Sequence, residues 1–171
     1  MKSLFSSGVA LVLAASFALA ASEPDYARLR AVLVRVVEGD VRATARFLGK
    51  RALDDRVIEA LASAPRHEFV PERQKVNAYL NRPLPIGHGQ TISQPYIVAI
   101  MTDMLGIDAD DVVLEVGTGS GYQAAVLAVL VKDVYTMEII EPLGLAADAR
   151  LERLGYDNVH ARLGDGYYGW P

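Results

Sequence analysis

Three glycines at alternate positions form the most chemically informative pattern in the chain. Residues 117–121 read Gly-Thr-Gly-Ser-Gly, directly after the apolar run Val-Val-Leu-Glu-Val at 112–116. Glycine lacks a Cβ, so the backbone of such a loop can approach a ligand closely and present its N–H groups at the start of the next helix. The pattern predicts a binding loop for a nucleotide or a nucleoside, and a plain strand-to-helix connection is the alternative.

The position of Glu138 favours the binding interpretation. Glu138 lies 21 residues after Gly117, at the end of the next predicted strand, where a carboxylate usually accepts hydrogen bonds from ribose hydroxyls. A dinucleotide-binding loop would have Gly or Ala where this chain has Tyr122, and no Gly-Lys-Ser/Thr sequence follows to bind phosphates. The residues favour a nucleoside without phosphates, with S-adenosyl-L-methionine as the first candidate and a nicotinamide cofactor as the weaker one.

A second polar group follows the third predicted strand. Asp165 stands between Gly164 and Gly166, and such a Gly-Asp-Gly sequence taken alone is more often a plain turn. The carboxyl ends of parallel strands lie at the same edge of a sheet, where ligands of open α/β folds bind. At that edge Asp165 could accept a hydrogen bond from an adenine amino group.

Other residues that could do chemistry give weaker signals. Spacing alone explains Ser93 as a loop serine that bonds its own backbone, because no His/Asp pair accompanies it as in a nucleophilic serine site. The three histidines, His67, His88 and His160, lack metal-ligand spacing. We therefore expect structural or surface histidines and no metal site.

Composition excludes several classes of protein. The chain has 171 residues, of which 51% are hydrophobic and 22% charged, with a net charge of −4. These values exclude intrinsic disorder and make an electrostatic nucleic-acid binder unlikely, since no basic excess exists. With no cysteine, disulfides, thiolate zinc sites and cysteine nucleophiles are excluded.

The N-terminal 20 residues differ from the rest of the chain. Lys2 is followed by an uncharged stretch with an apolar run at 9–15, and Ala18 and Ala20 form the small-x-small pattern of a signal-peptidase site. We therefore predict a cleaved signal peptide at 1–20, a periplasmic or secreted location, and no stable membrane span after cleavage. An uncleaved anchor is the alternative, as is a mis-chosen start codon with a cytoplasmic location.

Periodicity predicts the elements that position these residues. Helices are expected over 26–38, with Gly39 as a stop, over 54–64 with Asp54 as N-cap, and over 96–105, separated by an ordered, proline-rich loop region at 65–95. From residue 111 the pattern is β-α-β-α-β, with strands at 112–116, 134–138 and 158–163 and helices at 122–131 and 142–154. We predict one α/β domain with a parallel sheet, in which 21–110 form a helical and substrate-loop region and 111–171 the cofactor-binding part.

Four segments together resemble the protein-L-isoaspartate O-methyltransferase family. They are VLEVGTGSGYQAAVLA at 113–128, RPLPIGHGQTISQPY at 82–96, PRHEFVPE at 65–72 and GYDNVHARLGDGYYGWP at 155–171. The Gly-Gln-Thr-Ile-Ser-Gln-Pro string is specific to that family, whereas the glycine loop occurs in many methyltransferases. The resemblance implies a Rossmann-like fold and transfer of a methyl group from S-adenosyl-L-methionine to the α-carboxyl of L-isoaspartyl residues in damaged proteins.

The resemblance also implies roles for particular residues. Ser93 is expected to hold one oxygen of the substrate carboxylate so that the other faces the methyl group. The residues expected to border the cofactor lie in the same motifs: Gln90, Thr91, Ile92, Glu115, Gly117, Gly119, Ser120, Gly121, Glu138, Asp165 and Gly166.

Two features differ from the family pattern. Family members continue through further strands beyond the position of Pro171, so we expect three strands, an exposed edge, an exposed apolar face and marginal stability. The second difference is the predicted export signal, since the family's cofactor is made and used in the cytoplasm. The alternatives to a repair methyltransferase are a non-catalytic remnant that binds S-adenosyl-L-methionine and, less favoured, a nicotinamide-dependent oxidoreductase.

Overall fold

The computed structural model describes residues 25–170, in which helices pack on a three-stranded parallel sheet. Helices are α1 Tyr26–Ala43, α2 Ala45–Leu48, α3 Asp55–Ser63, α4 Pro95–Met104, α5 Tyr122–Ala128 and α6 Glu141–Arg153. Strands are β1 Leu84–Gly87, β2 Gln90–Ile92, β3 Val112–Val116, β4 Asp133–Glu138 and β5 Val159–Leu163. Short 3₁₀-helices cover Arg66–Phe69, Glu72–Asn77 and Gly166–Tyr168. The predicted signal peptide at 1–20 lies outside the described residues.

The parallel sheet carries the predicted strands in the order β3-β4-β5. Its register pairs Val116 of β3 with Met137 of β4, and Glu138 of β4 with Leu163 of β5. All three strands therefore end at the same edge, so the segments that follow them are neighbours. The prediction of an α/β fold with a parallel sheet is confirmed.

The N-terminal helices agree with the sequence prediction except at one end. The Asp54 side chain accepts a hydrogen bond from the backbone N–H of Arg56 and caps α3 as predicted. Helix α1 continues through Gly39 to Ala43, so the predicted stop at Gly39 is wrong. Val37 and Val41 are both buried one turn apart, and this apolar contact outweighs the low helix propensity of a single glycine.

Residues 65–95 contain more regular structure than predicted. The sequence predicted an ordered loop region without paired strands. The structure instead has an antiparallel hairpin of β1 and β2, in which Leu84 pairs with Ile92 and Pro85 with Thr91. The hairpin is a two-stranded ribbon, so Pro85 needs no partner on its outer side. The turn is made by Gly87, His88 and Gly89, which all have positive φ.

One face of β3 is apolar and exposed. Val112, Leu114 and Val116 alternate along the strand and are 58%, 47% and 63% exposed, respectively. This is the exposed apolar face expected from a three-stranded sheet, and the associated marginal stability stays a prediction. Within residues 25–170, no helix is long and apolar enough to cross a membrane.

Two helical glycines should respond in opposite ways to the same substitution. In Gly144→Ala, the new Cβ would lie 2.4 Å from Leu163 Cδ2 and 3.2 Å from Glu138 Cβ, so we expect a loss of about 1–3 kcal/mol in the free energy of unfolding. Gly39→Ala is the matched control, because no atom lies within 4 Å of its new Cβ, and it should gain about 0.5–1 kcal/mol. Urea unfolding followed by circular dichroism measures both, and equal effects would contradict the packing argument.

Candidate functional site

A cleft at the carboxyl end of β3 brings the hairpin strand β2 and helix α4 against the glycine loop. Its volume is about 230 Å³. The lining residues come from three segments: Thr91, Ile92, Ser93, Val98 and Met101; Glu115, Val116, Gly117, Thr118, Gly119 and Ser120; and Tyr122 and Gln123. The cleft therefore brings together the glycine loop at 117–121 and the segment around Ser93, the two motifs identified in the sequence.

The glycine loop is fixed by the neighbouring strand and leaves open space at Gly117. The backbone N–H groups of Gly117 and Thr118 both donate to the carbonyl oxygen of Met137, at 2.7 and 3.1 Å. Gly117 has a φ of +95°, and no atom lies within 4 Å of a Cβ built there. At Gly121 a Cβ would lie 3.1 Å from Leu151 Cδ1. Gly117 thus leaves room for a ligand, whereas Gly121 lets α6 pack closely.

Glu138 is tied to the same loop. Its Oε2 accepts a hydrogen bond from the N–H of Gly119 at 2.8 Å, and its Oε1 accepts one from the N–H of Ile140 at 2.9 Å. The residue is buried, so these two bonds hold the carboxylate in one position. Each carboxylate oxygen has a second lone pair, so Glu138 retains the capacity to accept hydrogen bonds from hydroxyl groups.

Glu115 stands at the base of the cleft in a chain of hydroxyl groups. Thr136 Oγ1 donates to Glu115 Oε2 at 2.6 Å, and Thr118 Oγ1 lies 2.7 Å from Thr136 Oγ1. Burial raises the pKa of Glu115 to about 7, the Thr136 hydrogen bond opposes that rise, and the nearby Glu138 charge adds to it. Glu115 therefore changes its charge near neutral pH.

Ser93 is exposed on the opposite side of the cleft. Its backbone carbonyl accepts a hydrogen bond from Arg66 Nη2 at 2.7 Å, and the residue lines the cleft. Ile92 beside it is buried. Gln90 lies in β2, where it pairs with Gly87, and is exposed outside the cleft lining.

Asp165 and Gly166 lie next to the cleft without lining it. The Asp165 carboxylate accepts a hydrogen bond from the N–H of Tyr167 at 2.9 Å and caps a 3₁₀-helix. A Cβ on Gly166 would lie 2.3 Å from Val116 Cγ1, so the segment packs directly against the end of β3. Of the predicted site residues, five lie outside the lining of the cleft: Gln90, Gly121, Glu138, Asp165 and Gly166.

Several lining residues were absent from the sequence-based site. They are Val98, Met101, Val116, Thr118, Tyr122 and Gln123. Met101 belongs to the apolar stripe of α4 yet is 55% exposed, and helical periodicity gives no sign of the cleft it faces. Gln123 follows the glycine loop, and its Nε2 donates to Thr102 Oγ1 at 2.9 Å. Its position as the second residue of α5, directly beyond the glycine loop, is the sequence signal that could have identified it as a lining residue.

The histidines lie in separate places. His67 stacks on Tyr26, with ring centroids 3.7 Å apart, and His160 Nε2 lies 2.9 Å from Asp133 Oδ1. In the part of the chain that the structure describes, no group of three or more His, Asp or Glu residues could hold a metal ion.

Comparisons with known proteins agree with the geometry. The family model described as protein-L-isoaspartate(D-aspartate) O-methyltransferase matches residues 46–171. The chain is 59% identical over 160 residues to protein-L-isoaspartate O-methyltransferase 2 of Syntrophobacter fumaroxidans, covering 94% of this chain and 65% of that one. It is 66% identical over 130 residues to protein-L-isoaspartate O-methyltransferase 2 of a Polaromonas species, covering 76% and 62%.

A solved structure gives the same result. A structure named protein-L-isoaspartate O-methyltransferase superimposes with a TM-score of 0.70 at 30% identity, covering 83% of this chain and 44% of that chain. The chain thus spans less than two thirds of the length of these relatives. The family model covers well over half of its residues, and the chain belongs to the protein-L-isoaspartate(D-aspartate) O-methyltransferase family.

Proposed function

We propose that this chain carries out the reaction for which its family is named. It transfers a methyl group from S-adenosyl-L-methionine to the α-carboxyl of L-isoaspartyl residues in damaged proteins and peptides, which starts their repair. The single observation that carries the proposal is the cleft that Ser93 and the glycine loop line together. Nucleic acid is not among the proposed partners.

The chemistry asks little of the protein beyond alignment. An α-carboxylate is ionised at neutral pH and is already a nucleophile, and the sulfonium of S-adenosyl-L-methionine supplies an activated methyl group. The protein must bring oxygen and methyl carbon together in line, which is an orientation effect. Ser93 would donate a hydrogen bond from Oγ to one carboxylate oxygen and leave the other oxygen free to react.

The residues around the glycine loop fit the methyl donor. Gly117 leaves the backbone open to a ligand, and Glu138 would accept hydrogen bonds from ribose hydroxyls. Gln90, Thr91, Ile92, Gly119, Ser120, Gly121, Asp165 and Gly166 complete the proposed cofactor site. Glu115 would place a carboxylate near the positively charged donor.

The contacts of Tyr122 favour this reading over a nicotinamide cofactor. Its ring is buried where a dinucleotide-binding helix needs Gly or Ala, and it packs edge-on against Phe69, with centroids 5.6 Å apart. A non-catalytic remnant that binds S-adenosyl-L-methionine is the second candidate function.

We also propose the arrangement of the chain and its location. Residues 1–20 would form a cleaved signal peptide, 21–110 a helical and substrate-loop region, and 111–171 the cofactor-binding part of the same domain. The signal would direct the chain to the periplasm or outside the cell. A wrong start or signal assignment would leave it in the cytoplasm. The mass of the native protein in each cell fraction tests both alternatives.

Replacing Ser93 tests the proposed reaction. In Ser93→Ala we expect kcat/KM for an isoaspartyl peptide to fall about 10- to 100-fold, because a hydrogen bond to a charged group contributes about 1.5–3 kcal/mol. The affinity for S-adenosyl-L-homocysteine should not change. Methyl ester formation is measured as base-labile methanol release, and Ser63→Ala, an exposed serine on α3, is the matched control.

The possible outcomes separate the candidate functions. Full activity of Ser93→Ala would remove Ser93 from the reaction. A wild-type chain that binds S-adenosyl-L-homocysteine but forms no ester would support the non-catalytic remnant. Competition by NAD for the same site would revive the oxidoreductase interpretation.

The raised pKa of Glu115 predicts a pH-dependent preference for the charged ligand. Below a pH of about 7 Glu115 is protonated and neutral, and above it the carboxylate attracts the sulfonium of S-adenosyl-L-methionine. S-adenosyl-L-homocysteine lacks that charge. We therefore expect the ratio of the two affinities to rise about tenfold in favour of S-adenosyl-L-methionine as pH increases through 7.

Calorimetric titration of both ligands across this pH range measures the ratio. Glu115→Gln should give a flat ratio because its amide does not titrate, whereas Glu152→Gln, an exposed residue on α6, should behave as the wild type. An equal rise in Glu115→Gln would assign the effect to another group.

A further inference from the structure

A buried arginine lies behind the loop that carries Ser93. Arg66 begins the 3₁₀-helix Arg66–Phe69 and is 0% exposed. Among residues 25–170, no carboxylate forms an ion pair with it. Burial lowers the pKa of its guanidinium, and the interaction with Tyr122 opposes that change. A buried cation without a counter-charge is costly unless hydrogen bonds compensate for lost water, so its partners indicate its role.

Backbone carbonyls replace part of the missing counter-charge through Nε and Nη2, whereas Nη1 has no hydrogen-bond partner among the described residues. Arg66 Nε donates to the carbonyl of Ala78 at 2.9 Å, and Nη2 donates to the carbonyl of Ser93 at 2.7 Å. A longer contact of 3.5 Å joins Nη2 to the carbonyl of Arg82. The three carbonyls stand before and after the hairpin β1–β2. The guanidinium therefore ties both ends of the hairpin to one rigid group.

The same guanidinium contacts the far side of the cleft. Arg66 Cζ lies 4.7 Å from the centre of the Tyr122 ring, a distance typical of a cation–π interaction. Tyr122 is the first residue of α5 and follows Gly121 directly. One buried side chain thus touches the Ser93 backbone and the residue that follows the glycine loop.

We propose that Arg66 is a positioning residue that sets Ser93 at a fixed place relative to the glycine loop. The inference rests on the proposed function. Arg66 acts through Ser93: holding the Ser93 carbonyl holds the Cα bonded to it, from which the side chain with the hydroxyl group extends. Two different nitrogens of the planar guanidinium, Nε and Nη2, bond the carbonyls of Ala78 and Ser93 at the same time. Lysine carries all its donors on a single nitrogen and cannot reproduce this geometry.

Arg66→Lys keeps a long basic side chain and removes the fork. We expect kcat for isoaspartyl peptides to fall about tenfold or more, since small misplacements of reacting groups cost up to about 100-fold. The affinity for S-adenosyl-L-homocysteine should stay within about twofold, because the loop N–H groups remain held by Met137 and Glu138. Arg73→Lys, an exposed arginine, is the matched control for the chemical change.

A thiol at position 93 gives a readout independent of catalysis. The chain has no cysteine, so Ser93→Cys introduces a single thiol whose reaction with a water-soluble disulfide reagent can be followed without background. If Arg66 holds this backbone, the reaction rate should change severalfold in the Arg66→Lys/Ser93→Cys variant. The rate in Arg73→Lys/Ser93→Cys should match that of Ser93→Cys alone.

The two measurements separate the inference from the function on which it rests. An inactive wild-type chain rejects the proposed function, and the thiol rates still test the positioning of residue 93. An active wild type with unchanged kcat in Arg66→Lys, or unchanged thiol rates, overturns the inference. Loss of S-adenosyl-L-homocysteine binding in Arg66→Lys also overturns it, because Arg66 would then maintain the cofactor side of the fold.

Discussion

The backbone N–H groups of the glycine loop need acceptors, and the end of β4 supplies them. The Met137 carbonyl takes the N–H groups of Gly117 and Thr118, and the Glu138 carboxylate takes that of Gly119. This arrangement depends on the parallel register that ends β3 and β4 side by side. A buried donor without a partner would cost about 1–3 kcal/mol. The loop conformation is thus determined by the neighbouring strand as much as by its glycines.

The buried arginine connects the two sides of the cleft. Arg66 donates to the Ser93 carbonyl, and its guanidinium lies 4.7 Å from the centre of the Tyr122 ring. On the glycine-loop side, the carboxylates of Glu115 and Glu138 are accompanied by a second cation, because Arg150 Nη1 donates to the Ser120 carbonyl at 2.9 Å. These two carboxylates are the groups that would attract a positively charged methyl donor.

Local sequence patterns predicted the parts of the fold whose determinants are local. The apolar run 112–116 and the Asp54 cap are examples. The extension of α1 through Gly39 follows the four-residue spacing of Leu33, Val37 and Val41, a signal that the stop assigned to Gly39 overlooked. The role proposed for Arg66 depends on carbonyls 12 to 27 residues away in the chain. Every residue has a backbone carbonyl, so no sequence motif could show which carbonyls Arg66 binds.

The hairpin tip at Gly87, His88 and Gly89 is less constrained by packing than the glycines next to the parallel sheet. Its residues extend away from the core, whereas Gly144 and Gly166 are confined by Leu163 and Val116. Substitutions at Gly144 and Gly166 therefore disturb packing, while His88 at the exposed tip can vary without affecting buried contacts. In evolutionary terms, position 88 has a greater mutational tolerance than positions 144 and 166, so selection can change the chemistry of the hairpin tip without altering the packing around the parallel sheet.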